Sequence, residues 1–404
     1  MQHQARMLRF LALGLLAALL SGCAPSRHYE ALLVLADAAQ PERPTRLKAT
    51  TPTPSRQAID YVVEGRRHSG DLYLPGDGVA EAGIVLVPGA VPQGKDEPRL
   101  VAFATTLARA RFAVLTPDLS GFRQLRIAPA DAREVADAVA HLSGRPDLAP
   151  GGRAGIVAFS YAVGPAVLAA LEDDVRQRLR FILGMGGYHD LGRAVRFFTT
   201  GWFEHEGRWQ HLEPDPYGTL VLVMTSLGYL GAADRRTLEA MVEARLAQPD
   251  ADLSELAERL GPEGRAVFEL AENADPHRFP ELMAALPAAL RADMAALSLH
   301  DKALDRLQAR LILVHGRNDS LIPYTESIAL ARALPEGQAR LILIERILGH
   351  VDLTLTHLLT WQFWRHELPD IWRMFRATDA LLREREARRG ADTFVPSGAA
   401  PGGE

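Results

Sequence analysis

Residues 155–170, GIVAFSYAVGPAVLAA, pass from a short apolar run into a run of small residues through one serine. Gly155 to Phe159 has the length and apolarity of a buried strand, and the alanine-rich stretch after it reads as a closely packed helix. A strand that turns sharply into a helix lifts the residue at the turn above the carboxyl edge of a sheet. Ser160 occupies that turn, flanked at one remove by Ala158 and Ala162, whose small side chains suit a crowded, strained backbone. Such a hydroxyl becomes a nucleophile only if a histidine and a carboxylate reach it from other strand ends. The rest of the chain is constrained by that requirement.

Apolar strands and helical stretches alternate on both sides of this segment. Two strands with residue-by-residue alternation, 56–63 and 66–74, are joined at Glu64–Gly65 as an antiparallel pair. GIVLVPGA (83–90), RFAVLTP (111–117) and RFILGMGG (180–187) are continuous apolar runs, separated by helical patterns at 100–110 and 129–143. The rhythm stops at Tyr188 and resumes with Leu311 to Val314, a helix at 325–334 and a strand at 340–346. Continuous apolar strands alternating with helices predict an α/β fold with a predominantly parallel sheet covered on both faces. The interval 188–308 reads as a large helical insertion, with aromatic residues Phe197, Phe198, Trp202, Phe203 and Trp209 and helices at 235–247, 253–260 and 264–272. Its apolar run Thr219–Leu230 is too short, at about twelve residues, to cross a bilayer. It reads as a buried helix or a pocket lining.

Two side chains after late strands answer the requirement set by Ser160. Asp319 follows the 311–314 strand in HGRNDSLIP, and His350 follows the 340–346 strand in ILGH. Parallel strands gather such loops at one edge. There His350 can take the serine proton and Asp319 can orient and stabilise the imidazole. The chain order Ser, Asp, His is the order of α/β-hydrolases rather than of other serine hydrolases. Asp190 is the best competing acid. Asp118 in DLSGF reads as loop structure, and His189 and His205 read as solvent-facing or structural. No close metal-ligand spacing occurs, and the chemistry needs no metal or cofactor.

With these motifs in place the chain resembles an α/β-hydrolase over residues 56–187 and 309–367, with 188–308 where that superfamily carries a lid. IVLVPGA resembles the strand leading to the oxyanion loop, VLTPDLSGF the next strand and loop, HGRNDSLIP the acid loop and ILGH the histidine loop. The resemblance implies an oxyanion hole formed by the N–H groups of Ala90 and Tyr161, with Val91 as the second choice to Ala90. It departs from the family in having AFSYA where G-x-S-x-G is usual and Pro88 where a histidine is usual. It implies a serine hydrolase acting on a carboxylic ester through an acyl-enzyme, its partner a small-molecule acyl substrate. Peptidase, thioesterase and acyltransferase share the same machinery. A membrane-tethered binding protein on an inactive scaffold is the non-enzymatic alternative. GxGxxG and P-loop patterns are absent, which speaks against nucleotide binding.

Composition narrows the setting. A formal charge of -5 with no basic stripe gives no sign of nucleic-acid binding, and the single cysteine excludes a disulfide framework. That cysteine, Cys23, ends LSGC directly after an uncharged apolar run (10–20) preceded by Arg6 and Arg9. This arrangement resembles a bacterial lipoprotein signal, which implies cleavage before Cys23 and its lipidation. Ala24 rather than an aspartate after the cysteine points to the outer membrane, facing the periplasm. The expected organisation is a signal peptide (1–22), a lipidated N-terminus and spacer (23–55), and the first part of the hydrolase core (56–187). The lid (188–308), the second part of the core with C-terminal helices (309–388) and a disordered tail (389–404) follow. Within 23–55, Tyr29–Ala38 reads as a helix packed on the domain, and PERPTRLKATTPTPS as a semi-rigid spacer. The oligomeric state is not legible.

Overall fold

The computed structural model describes residues 25–346 and 367–386. One sheet organises them. Its strands are β1 (Ser55–Val63), β2 (Arg66–Leu74), β3 (Ala82–Val87), β4 (Phe112–Pro117), β5 (Ala154–Phe159) and β6 (Leu179–Met185). A separate hairpin, β7 (Trp202–His205) and β8 (Arg208–His211), comes next in the chain, and β9 (Arg310–Gly316) and β10 (Ala339–Ile344) complete the large sheet. The order across that sheet is β1-β2-β4-β3-β5-β6-β9-β10. β2 is antiparallel to both β1 and β4, and every other neighbouring pair is parallel. β3 and β4 are buried along their whole length, which is why they read as unbroken apolar runs rather than as alternation.

Each face of the sheet carries its own core. On one face the helices Ala130–Ser143 and Val163–Leu171 pack with the insertion through Val135, Val139, Val167, Leu222, Leu290 and Leu313. On the other, Pro98–Arg109, Pro25–Ala39 and Leu368–Glu386 cover Ile84, Val114, Phe181 and Val314. Gly155 makes room in β5 for the neighbouring strand. A Cβ there would stand 2.1 Å from the Phe181 ring.

The insertion is mostly helical, as expected, with helices Leu191–Thr200, Pro216–Ser226, Ala232–Ala247, Pro262–Ala271, Phe279–Ala285 and Ala288–Leu297. The β7–β8 hairpin within it was not expected. It is built on Glu206 and Gly207, both with positive φ, and its strands, one with Phe203 buried and the other exposed throughout, are too short to show the alternation that marks a half-buried strand. The stretch read as a spacer is also different. Leu47 is buried, Arg109 donates to the Thr51 and Pro52 carbonyls, and the Thr45 hydroxyl donates to Asp37. These contacts bind residues 41–54 to the body of the protein, so the prolines shape a docked segment rather than a free linker. The expectation of a spacer is corrected accordingly. The tail at 389–404 and the helix expected at 353–367 lie outside the described residues, save residue 367.

Candidate active site

At the end of β5 the chain reverses into one 3₁₀ turn, Ser160–Ala162, that feeds the Val163–Leu171 helix. Ser160 has φ +53°, a left-handed conformation costing an L-residue about 1–3 kcal/mol. The surroundings hold it there. Ala158 and Ala162 are fully buried, so the alanines that replace the usual glycines are accommodated. Gly164 one turn on is obligatory, because a Cβ there would lie 2.0 Å from the Tyr188 hydroxyl.

Ser160 opens on a cavity of about 90 Å³ whose walls include Ala90, Phe198, Tyr217, Leu222 and Met294. None of the lining side chains carries a formal charge. The loop after β3 runs beside the serine. A Cβ on Gly89 would be 3.8 Å from that of Ser160. Ala90 therefore sits on the wall, while its carbonyl accepts a hydrogen bond from the Tyr217 hydroxyl at 2.7 Å. Across a planar trans peptide the Val91 N–H is directed opposite to that carbonyl, away from Tyr217.

The loop after β9, which carries Asp319, forms another wall through Leu321 and Ile322. Asp319 Oδ1 accepts the N–H groups of Leu321 (2.8 Å) and Ile322 (3.1 Å). Its Oδ2 lies 3.3 Å from His315 Nε2 and 3.1 Å from where a Cβ on Gly186 would stand. His315 is fully buried, with Nε2 also 2.9 Å from the Ile322 carbonyl and Nδ1 2.7 Å from the Ser327 hydroxyl. Two acceptors facing Nε2 place the proton there. Burial pushes the Asp319 carboxyl up, but the His315 N–H and the two backbone N–H groups outweigh it and hold it below the usual range.

The proposed base, His350, and the proposed lipidation site, Cys23, lie outside the described residues. The strand that leads toward His350, β10, is clamped at its exit. The buried Asp370 carboxylate accepts the N–H groups of Glu345 (3.0 Å) and Arg346 (2.8 Å), and Arg373 donates to it at 2.6 Å.

Asp190, the competing acid, is occupied as the N-cap of the Leu191–Thr200 helix, accepting the Arg193 N–H at 3.1 Å. His189 packs beside Arg193, and burial lowers its pKa. His205 stands on the hairpin against the Tyr324 ring. Asp118 lies 3.5 Å from Arg123. None of the four lines the cavity.

Most of the apolar run Thr219–Leu230, read as a buried helix or a pocket lining, is a helix that lines the cavity, whereas the bonds that tether it were not visible in the sequence. The Pro216–Ser226 helix, which contains most of the Thr219–Leu230 run, roofs the cavity with Tyr217, Gly218, Val221, Leu222 and Thr225. Its start is tied to both flanking loops: Asp215 N–H donates to Ser320 O at 2.8 Å, and Tyr217 holds Ala90. The Asp-Pro pair is a readable helix start, but the ties are long-range. Beneath the serine, the Tyr161 hydroxyl donates to buried Asp131 at 2.8 Å. Desolvation pushes that carboxyl up to about 6, although the Ala128 N–H and Tyr161 hydroxyl pull the other way. No cluster of metal-ligating side chains is present among the described residues.

No protein-family model matches the chain, and no curated protein matches it. The solved structure of a protein from Legionella pneumophila subsp. pneumophila strain Philadelphia 1 is similar over 88% of this chain and 96% of that one, with TM-score 0.51 and 11% identity. A 2,6-dihydroxy-pseudo-oxynicotine hydrolase gives TM-score 0.44 and 14% identity over 82% of this chain and 69% of that one. The 2-hydroxy-6-oxo-6-phenylhexa-2,4-dienoate hydrolase of Rhodococcus sp. strain RHA1 gives 0.37 and 18% over 80% and 100%. The last two scores are too low to carry weight. The strand order with an antiparallel second strand, the tight turn after β5 and the first of these likenesses define the α/β-hydrolase fold.

Proposed function

We propose that the chain is a serine hydrolase that cleaves a carboxylic ester through an acyl-enzyme on Ser160. One observation carries this reading: a serine held at φ +53° opens on a roofed, uncharged cavity whose wall is formed by the loop that Asp319 braces. At Glu206 a positive φ closes a hairpin turn; at Ser160 it leads from strand to helix and is the geometry that would present a hydroxyl to a bound carbonyl.

In the proposed mechanism Ser160 Oγ attacks the ester carbonyl carbon as His350 takes the hydroxyl proton. Asp319, ionised in its depressed range, holds the imidazolium. The developing oxyanion receives the N–H groups of Ala90 and Tyr161, each worth roughly 3–4 kcal/mol in the transition state. His350 then passes the proton to the departing alcohol oxygen. Water enters, gives its proton to His350 and attacks the acyl carbon, and the acid leaves as Ser160 Oγ recovers a proton. The apolar roof supports an ester with a greasy acyl group over an extended peptide, because it encloses the reacting carbonyl and excludes bulk water. For the cellular setting, the order Arg6, Arg9, apolar 10–20 and LSGC supports lipidation at Cys23 and an outer-membrane location facing the periplasm.

The test is labelling by a fluorophosphonate followed by peptide mass spectrometry, with ester, thioester and peptide substrates assayed in parallel. The expected result is modification of Ser160 and ester turnover abolished by Ser160→Ala. Normal turnover in that variant would defeat the mechanism.

A further inference from the structure

The Pro25–Ala39 helix is inverted relative to an ordinary surface helix. Its exposed positions are Ser26, Tyr29, Leu32 and Ala36, spaced three, three and four apart, which is a single stripe along one face. That stripe carries no charge. Tyr29 is 49% exposed and Leu32 38%. The ionic side chains of the helix turn inward. Arg27 pairs with Asp379 and Glu386, both at 2.8 Å. Glu30 accepts two bonds from Arg385 at 2.6 Å, and Asp37 accepts the Thr106 hydroxyl at 2.6 Å. A helix facing water would do the reverse.

The helix it packs on, Leu368–Glu386, adds to the apolar surface. Trp372 is 43% exposed and stacks at 5.0 Å on Phe375, whose other edge meets His28 at 6.0 Å. Three of the seven large apolar side chains exposed among the described residues thus belong to these two helices, which pack against each other.

The preceding chain says what covers this face. Only Ala24 stands between Cys23 and Pro25, and two residue steps span at most about 7 Å. With the segment 41–54 docked, no spacer separates the body from Cys23. An acylated Cys23 would hold the first turn of this helix at headgroup depth. Tyrosine and tryptophan flanking an aliphatic stripe suit that interface, where their rings are apolar at one end and wet at the other. We propose that Tyr29, Leu32 and Trp372 rest on the lipid bilayer to which Cys23 is anchored, so that the protein lies against the membrane in one orientation. The proposal rests on the anchoring of Cys23 and is independent of the hydrolase reading.

The test uses the full-length chain, expressed in a bacterial host, recovered from its membranes and reconstituted into phosphatidylethanolamine/phosphatidylglycerol vesicles with or without brominated acyl chains. The brominated lipid quenches tryptophan emission, and Trp372→Phe removes the quenched share while Trp209→Phe leaves it in place. Tyr29→Trp in the Trp372→Phe background restores quenching, a gain that misfolding cannot mimic. Equal quenching in the wild type and Trp372→Phe, with none regained by Tyr29→Trp, would leave anchoring intact and overturn the proposed face. Recovery of the chain in the soluble fraction with Cys23 unmodified would overturn the anchoring itself. Disulfide-linked dimers of Leu32→Cys without quenching would assign the face to a second copy instead.

Discussion

Tyr217→Phe deletes one oxygen atom from the roof and asks whether the oxyanion loop depends on it. In the wild type that oxygen donates to the Ala90 carbonyl at 2.7 Å in a half-buried setting. The net value of such a bond is about 1 kcal/mol, and leaving a sheltered carbonyl unpaired costs up to about 3. Ala90 lies on the cavity wall, so the loss falls on the residue whose N–H is proposed to stabilise the oxyanion. At about 1.4 kcal/mol per tenfold, kcat falls by about 5-fold to 150-fold. KM changes little, because the apolar walls that bind the acyl group are untouched. The effect is flat between pH 5 and 9, since burial pushes the Tyr217 phenol up to about 12 and it stays a neutral donor. Steady-state kinetics on a p-nitrophenyl ester and the second-order rate of phosphonate labelling should fall by the same factor. A variant with unchanged kcat and an unchanged melting temperature would refute the coupling. A rise in KM alone would show that Tyr217 binds substrate rather than positioning the loop.

Three other substitutions separate strain, orientation and burial. Ser160→Gly relieves the φ of +53° and should stabilise the fold by about 1 kcal/mol in thermal melts while abolishing turnover; a fall in stability would remove the strain argument. Asp319→Asn should lower kcat by about 10⁴, with the cooperative melt retained because its amide oxygen can still accept from Leu321 and Ile322; activity within tenfold of the wild type would eliminate Asp319 as the orienting acid. The carboxylate itself, with its folded pKa depressed, contributes stability above the unfolded value near 4, and that contribution is lost as the pH falls through the lower folded value. Asp131 has the opposite sign: its folded pKa of about 6 means that stability falls as pH rises from about 4 to 6, by about 3 kcal/mol. Asp131→Asn should therefore melt higher than the wild type at pH 8 by a margin that shrinks toward pH 4, and an equal margin at both would show that desolvation is not the cause.

The parts of this molecule that could be read from its sequence are those encoded by local pattern. β3, β4 and β5 are buried on both faces, so their apolar runs announce them without a partner in view. Ser160 was legible because a strand, a turn and a helix are contiguous in the chain, and Asp319 because it follows a strand in a predictable order. The β7–β8 hairpin was not, since its strands are four residues each, too short for a period of two to register. Nor could local pattern reveal that prolines 41, 44, 52 and 54 belong to a docked segment. The anchors there are Leu47, a single apolar residue, and Arg109, more than fifty positions away.

The same distinction explains the residues around the site. Tyr217 and Ala90 are 127 positions apart, His189 and Glu326 are 137 apart, and Asp370 reaches back to Glu345. Each bond joins a loop at the carboxyl edge of the sheet to an element that comes well after it in the chain. A sequence pattern reports what a residue buries, because burial repeats with the period of its own helix or strand. It does not report what a polar side chain satisfies, because the partner's position is set by topology. The strand-end positions of Ser160 and Asp319 could thus be read from local pattern alone, while the groups that restrain their loops emerged only when the insertion was folded over them. The strained serine, its braced acid loop and the roof that ties both flanks form one mechanical unit. Relaxing Ser160 by glycine should consequently raise stability while turnover is lost, whereas cutting the roof tie at Tyr217 should lower kcat with the serine still in place and bring no gain in stability.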